Sequence, residues 1–107
     1  MNDNEICKRI AEIDSVDWFE SEGIISHQNN LGLCREYSPL TDDGLCFRLM
    51  VKYKVNIYVH PSGGFHAVVR NSRGVTIAAV LNKSPNKAIC LAIIESHKEA
   101  NNATRQL

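Results

Sequence analysis

His60 and His66 flank the segment Pro61-Ser62-Gly63-Gly64, and in a hairpin built on that turn they are expected to face each other across two strands. Two neutral imidazoles so placed can take up a divalent cation, and either can serve as a general base. A metal site needs a third ligand and groups that orient the first two. The segments 55–60, 65–70 and 75–81 supply neither Asp nor Glu. The expectation is therefore no metal, no cofactor and no catalytic residue, with the histidine pair facing solvent or a partner. His97 falls on the buried side of a C-terminal helical pattern, near its end, where helix carbonyls suit an imidazole. His27 lies in a stretch without regular period.

The remaining chemistry-bearing residues read as structural. Cys7, Cys34, Cys46 and Cys90 form no CxxC pair and have no His at zinc-finger spacing. Three of the four sit among apolar residues in helical patterns, as small core hydrophobes do. Asp42-Asp43 opens a helix, where the helix dipole favours them, and Glu20 and Glu22 fall in an irregular stretch. No nucleophile-elbow serine and no phosphate-binding glycine loop is present, and Gly63-Gly64 reads as a hairpin turn.

The bulk properties narrow the function classes. At 107 residues the chain makes one domain with a real core, and its 44% hydrophobic and 22% charged residues are those of an ordinary globule. Twelve basic residues balance twelve acidic ones, so the excess of cations that drives nonspecific nucleic-acid binding is missing. Nucleic acid is not the expected partner. The polar, acidic start Met1-Asn2-Asp3-Asn4-Glu5 does not resemble a signal peptide, and no apolar run is long enough to span a bilayer. The expectation is a cytoplasmic protein without membrane contact, with its thiols reduced.

The elements that position these residues follow from hydrophobic spacing. Ile6, Ile10 and Ile13 form one helical stripe over residues 3–13, with Asn2 or Asp3 as cap and Glu5 in the first turn. Residues 15–41 read as irregular, interrupted by Gly23, Asn29-Asn30 and Gly32, with one short strand near 23–27. Trp18 and Phe19 there either plug a core edge or mark a partner site. A helix begins near residue 42, capped by Thr41 or Ser38. Its face is Leu45, Cys46, Leu49, Met50 and Tyr53, while Phe47 and Val51 imply contact on a second side. Three strands follow at 55–60, 65–70 and 75–81, joined by glycine-bearing turns. Their alternation aligns Val55, Ile57 and Val59 with Phe65, Ala67 and Val69, and these with Val75, Ile77 and Ala79, as one core face. The opposite face carries Asn56, Tyr58, His60, His66, Val68, Arg70, Thr76 and Ala78. Ser84 and Pro85 start a last helix that buries Ile89, Cys90, Ile93 and Ile94 and turns Glu95, Lys98 and Glu99 to water, with residues 100–107 as a frayed tail. The fold expected is α+β: a three-stranded antiparallel sheet in helix–β–β–β–helix order, with an additional N-terminal helix.

The run Tyr37-Ser38 … Asp42-Asp43-Gly44-Leu45-Cys46, leading into a helix, resembles the opening of small tailed-phage proteins with an ABA-sandwich domain. Ser84-Pro85-Asn86-Lys87-Ala88-Ile89-Cys90-Leu91-Ala92 is similar to the final helix of that family, and the NinX-like phage proteins share the plan. Phe65 stands where that family commonly has Trp. The resemblance covers roughly the last two-thirds of the chain and implies a phage or prophage source, hence the host-cell cytoplasm, with no settled activity.

The leading functional expectation is a non-enzymatic phage or prophage accessory protein of host-interaction or anti-defence type. It would bind a host or phage protein through Tyr58, His60, His66 and Arg70, or through Trp18 and Phe19. The sequence leaves homodimerisation open. The alternative is a small nucleic-acid or nucleotide binder using Tyr58, Arg70, Arg73 and Lys87, in outline like a double-stranded-RNA-binding domain or a HicB-type antitoxin. A His-dependent metal enzyme is the remote third reading. Fold outline alone does not carry function.

Overall fold

Asn2 opens the first helix, α1 (Asp3–Ile13): its side chain accepts from the Glu5 N–H at 2.8 Å, and Ile6, Cys7, Ile10 and Ala11 form the buried stripe. The computed structural model describes residues 1–28 and 32–105.

The stretch 15–41 is not irregular. It forms β1 (Trp18–Ser21), β2 (Ile24–Gln28) and β3 (Cys34–Glu36), an antiparallel sheet in that order. Strand β2, near the expected 23–27, is the centre of this sheet. Asn29 and Asn30 lie outside the described residues. Short strands rich in Ser, Glu and His carry little apolar alternation, which is why the pattern hides them. One face of the sheet, with Trp18, Ile25 and Tyr37, packs against the core; Glu20, on the same face, bonds to Asn4 and Lys8 of α1.

Helix α2 (Asp43–Lys52) is capped by Asp42, which accepts from the Leu45 N–H at 3.1 Å, and not by Thr41 or Ser38. Its buried face is the expected one, Cys46 and Leu49 flanked by Leu45, Met50 and Tyr53. Phe47 and Val51 touch no second layer and are 60% and 61% exposed.

The second sheet, β4 (Val55–Val59), β5 (Phe65–Arg70) and β6 (Thr76–Asn82), has β5 at its centre. The β4–β5 register is the expected one, with Val55, Ile57 and Val59 opposite Val69, Ala67 and Phe65. The β6 face differs. Arg70 pairs with Thr76 while Val69 pairs with Ala78, so Ile77 is the extra residue of a β-bulge. The bulge inverts the facing beyond it: Ala78 and Val80 point to the core, while Ala79 and Leu81 point out. Val59 shares the inner face by register but is 79% exposed at the strand end. Gly64 closes the β4–β5 turn at φ +88°, where an added Cβ would meet the Asn82 carbonyl oxygen at 3.0 Å.

Helix α3 (Pro85–Arg105) starts at Ser84, whose hydroxyl accepts from the Lys87 N–H at 3.3 Å. Its helical backbone runs past residue 99 to Arg105, so the expected frayed tail is helix over most of its length; the Glu99 side chain lies outside what is described. Ile89, Cys90, Ile93 and Ile94 are buried as expected. The helix packs on the inner face of β4–β6 and also meets α1 and α2, while α1 in turn meets β1 and β2. The order from one sheet to the other is thus β4–β6, α3, α1, β1–β3, with α2 beside α3 and β4. Among the described residues no helix is long and apolar enough to cross a membrane.

Candidate binding face on the second sheet

The two sheets make no contact with each other. Because β1–β3 is docked on α1, it leaves the outer face of β4–β6 uncovered among the described residues. On that face, Asn56, Val68 and Ala79 form one cross-strand row, Tyr58, His66 and Leu81 the next, and Arg70 stands beside Thr76. Tyr58 and Leu81 are 47% and 53% exposed. Val68 is buried although no element lies over it; its neighbours along and across the strands are His66, Arg70, Asn56 and Ala79. The Tyr58 hydroxyl accepts from Arg70 Nη1 at 3.3 Å, which holds the guanidinium over the sheet. The result is an apolar centre edged by a tyrosine, a histidine and an arginine; tyrosine and arginine are among the residue types that concentrate binding energy at protein interfaces.

The histidines do not form the expected opposed pair. His66 stands across from Tyr58, and the His60 N–H bonds to the Gly64 carbonyl in the turn. His60 Nδ1 accepts from the Ser62 N–H at 3.1 Å and lies 2.6 Å from its hydroxyl oxygen. An Nδ1 that accepts from a backbone donor places the neutral ring's proton on Nε2, so neither nitrogen is presented as a lone-pair ligand. Among the described residues, no group of three or more His, Cys, Asp or Glu is placed to hold a metal ion.

Trp18 and Phe19 separate. Trp18 faces inward and packs on the core, while Phe19 points out and is 43% exposed. The basic residues of the nucleic-acid reading separate too. Tyr58 and Arg70 share the sheet face and Arg73 lies in the turn beyond it, but Lys87 is held by Asp3 of α1 at 3.1 Å.

Other titrating groups hold the fold together. The Tyr53 hydroxyl donates to Asp14 Oδ1 at 2.9 Å, Lys52 pairs with the same oxygen, and the Tyr53 ring meets His97 edge-on at 5.5 Å. His97 Nδ1–H donates to the Ile93 carbonyl at 2.9 Å, a carbonyl partner as expected, but within the helix and not near its end, because α3 runs on to Arg105. Burial and the Asp14 carboxylate push the Tyr53 phenol up, and Asp14 raises the Lys52 ammonium. Cys90 is pushed far above the thiol range by its hydrogen bond with Cys46 and by burial, and burial raises Cys7 as well. Tyr37 is buried with no partner for its hydroxyl, and burial, reinforced by Asp14, moves it above the phenol range. A cleft of about 280 Å³ opens between α1, β2 and residues 36–41, lined by Asp3, Cys7, Ile24, Glu36, Tyr37 and Leu40; no residue of the second sheet reaches it.

One signal in the sequence is hidden by its zero sum. Ten of the twelve carboxylates lie in residues 1–43 and none in 44–94, which hold seven of the twelve basic residues. Two of those seven pair with α1 and its C-cap, as Lys87–Asp3 and Lys52–Asp14. Arg48, Lys54, Arg70, Arg73 and Lys83 make no ion pair among the described residues. The open sheet is therefore acid-free, and four of these cations, Lys54, Arg70, Arg73 and Lys83, lie at its strand ends and turn. No family model, curated protein or solved structure matches this chain.

Proposed function

We propose that this protein is a non-enzymatic protein-binding module, an accessory protein of the phage or prophage kind that its resemblance implies, and that its working surface is the outer face of β4–β6. The observation that carries the reading is the docking of β1–β3 on α1, which leaves Tyr58, His66, Arg70 and Leu81 on an uncovered sheet face. A sheet face with an apolar centre and an arginine bonded to Tyr58 suits a protein surface, and the absence of carboxylates from 44–94 selects an acidic one. A photo-cross-linking residue at position 58 should capture a discrete partner in a lysate of the producing cell. Arg70→Glu should abolish that adduct, and the same probe at exposed Glu12 on α1 should yield none. Equal capture from both positions would refute the reading.

A second reading, a binder of single-stranded nucleic acid, draws on the same acid-free stretch and on the Tyr58–His66 row as a stacking surface. It requires binding that falls steeply as salt rises. Lys87, occupied by Asp3, contributes nothing to that surface.

A further inference from the structure

We infer that the acidic surface which the β4–β6 face accepts is the outer face of β1–β3 on a second copy of this chain, in a head-to-tail contact. The inference rests on the reading of β4–β6 as a protein-binding face and names its occupant. Both outer faces belong to three-stranded antiparallel sheets with exposed apolar side chains, Phe19 and Ile24 on one and Tyr58 and Leu81 on the other. Their charged borders have opposite sign. Glu36 stands on the β1–β3 outer face beside Ser26 and Phe19 in register, and Glu22 projects from the β1–β2 turn. Neither forms an ion pair among the described residues. Arg70 and Arg73 border the other face, equally free of carboxylates.

Face-to-face stacking of two sheets buries apolar side chains without edge pairing, and opposite charges set which faces meet. Like faces would bring carboxylate to carboxylate or guanidinium to guanidinium, so the contact is heterologous. Its size bounds its strength. Three strands of about five residues span roughly 15 Å by 15 Å, well below the ~800 Å² per partner of a standard stable interface. The association is weak, and it is read at protein concentrations of hundreds of micromolar.

The test uses sedimentation equilibrium on the full chain, treated with nuclease, at low and at high salt. Wild type should self-associate at low salt and dissociate as salt rises, since the bordering charges are exposed. Arg70→Glu/Arg73→Glu has its basic face reversed, and Glu22→Lys/Glu36→Lys its acidic one; each alone should stay monomeric. An equal mixture should associate again as wild type does, because every face-to-face contact between the two variants once more brings opposite charges together. Recovery in the mixture also shows that both variants are folded. A wild type that is monomeric at every concentration, or either variant still associating with itself, would overturn the second copy as occupant. So would an association that nuclease removes, which would assign the face to nucleic acid. A monomeric wild type whose position-58 probe still captures a partner would leave the binding face standing with another occupant. If the probe is silent as well, the face itself fails.

Discussion

Arg70 Nη1 reaches back across the second sheet to donate to the Tyr58 hydroxyl oxygen at 3.3 Å, so the exposed guanidinium is tied to the open face by one hydrogen bond. A side chain ordered before binding loses less entropy when a partner arrives. Tyr58→Phe removes the acceptor and keeps the ring. It should leave the melting temperature unchanged and lower partner capture severalfold, a split that cross-link yield and calorimetry measure together. Arg70→Ala should likewise stay within about 0.5 kcal/mol of wild-type stability, as an exposed side chain does. A large stability loss from either would make the pair structural.

The core is expected to respond to truncation very unevenly along the second sheet and its helix. Ile93 on α3 is fully buried in the core cluster, and Ile93→Ala should cost about 2–5 kcal/mol by leaving a cavity. Val59 occupies the same sheet face by register yet is 79% exposed, so Val59→Ala should cost less than about 0.5 kcal/mol. Urea denaturation of both variants reads the contrast, and comparable losses would mean that the helix covers the strand end after all.

Tyr37→Phe is expected to be neutral or to stabilise by about 1 kcal/mol, because it removes a buried hydroxyl that has no hydrogen-bond partner. The effect should grow at high pH. Burial raises the folded-state phenol above its unfolded value, so its contribution is intact below about pH 10 and is lost as pH climbs toward the folded value. Tyr53 shares that direction. Alkaline melts of Tyr37→Phe should therefore fall less steeply than those of wild type. A destabilised variant at neutral pH would show that the hydroxyl has a partner, such as a bound water.

Glu20 works at the acid end. Hydrogen bonds from Asn4 and Lys8 hold its carboxyl below the usual value, so its stabilisation is present above the unfolded value and disappears as pH falls through the folded one. Glu20→Gln should lose a small increment at neutral pH and show a flatter decline below about pH 4.5. Parallel acid melts for the two proteins would contradict this, since the carboxylate would then contribute nothing.

Zinc is the check on the histidines. His60 Nδ1 accepts from Ser62 and His66 faces Tyr58, so added zinc or chelator should leave the melting temperature unmoved at any pH where the imidazoles are neutral. Stabilisation by zinc that His60→Ala or His66→Ala removes would restore the discarded metal site.

Local chemistry determined much of this fold directly from the sequence. The stripe Ile6, Ile10 and Ile13, the caps Asn2 and Ser84, and the glycine-bearing turns after His60 and Arg70 each act over a few residues, and each is where the spacing puts it. The β4–β5 register followed from period-two alternation for the same reason. Tertiary structure decided what depends on distant partners. Strands β1–β3 exist because α1 offers their inner face a surface, and their own side chains carry too little apolar pattern to announce it. The bulge at Ile77 turned Leu81 outward, which no count of alternating residues reveals. That Phe47 and Val59 are exposed follows from where α3 and the other helices stop, not from their hydrophobicity. The segregated charge was written in the sequence all along; a summed charge erases position, and only the fold turned residues 55–82 within that stretch into one acid-free sheet.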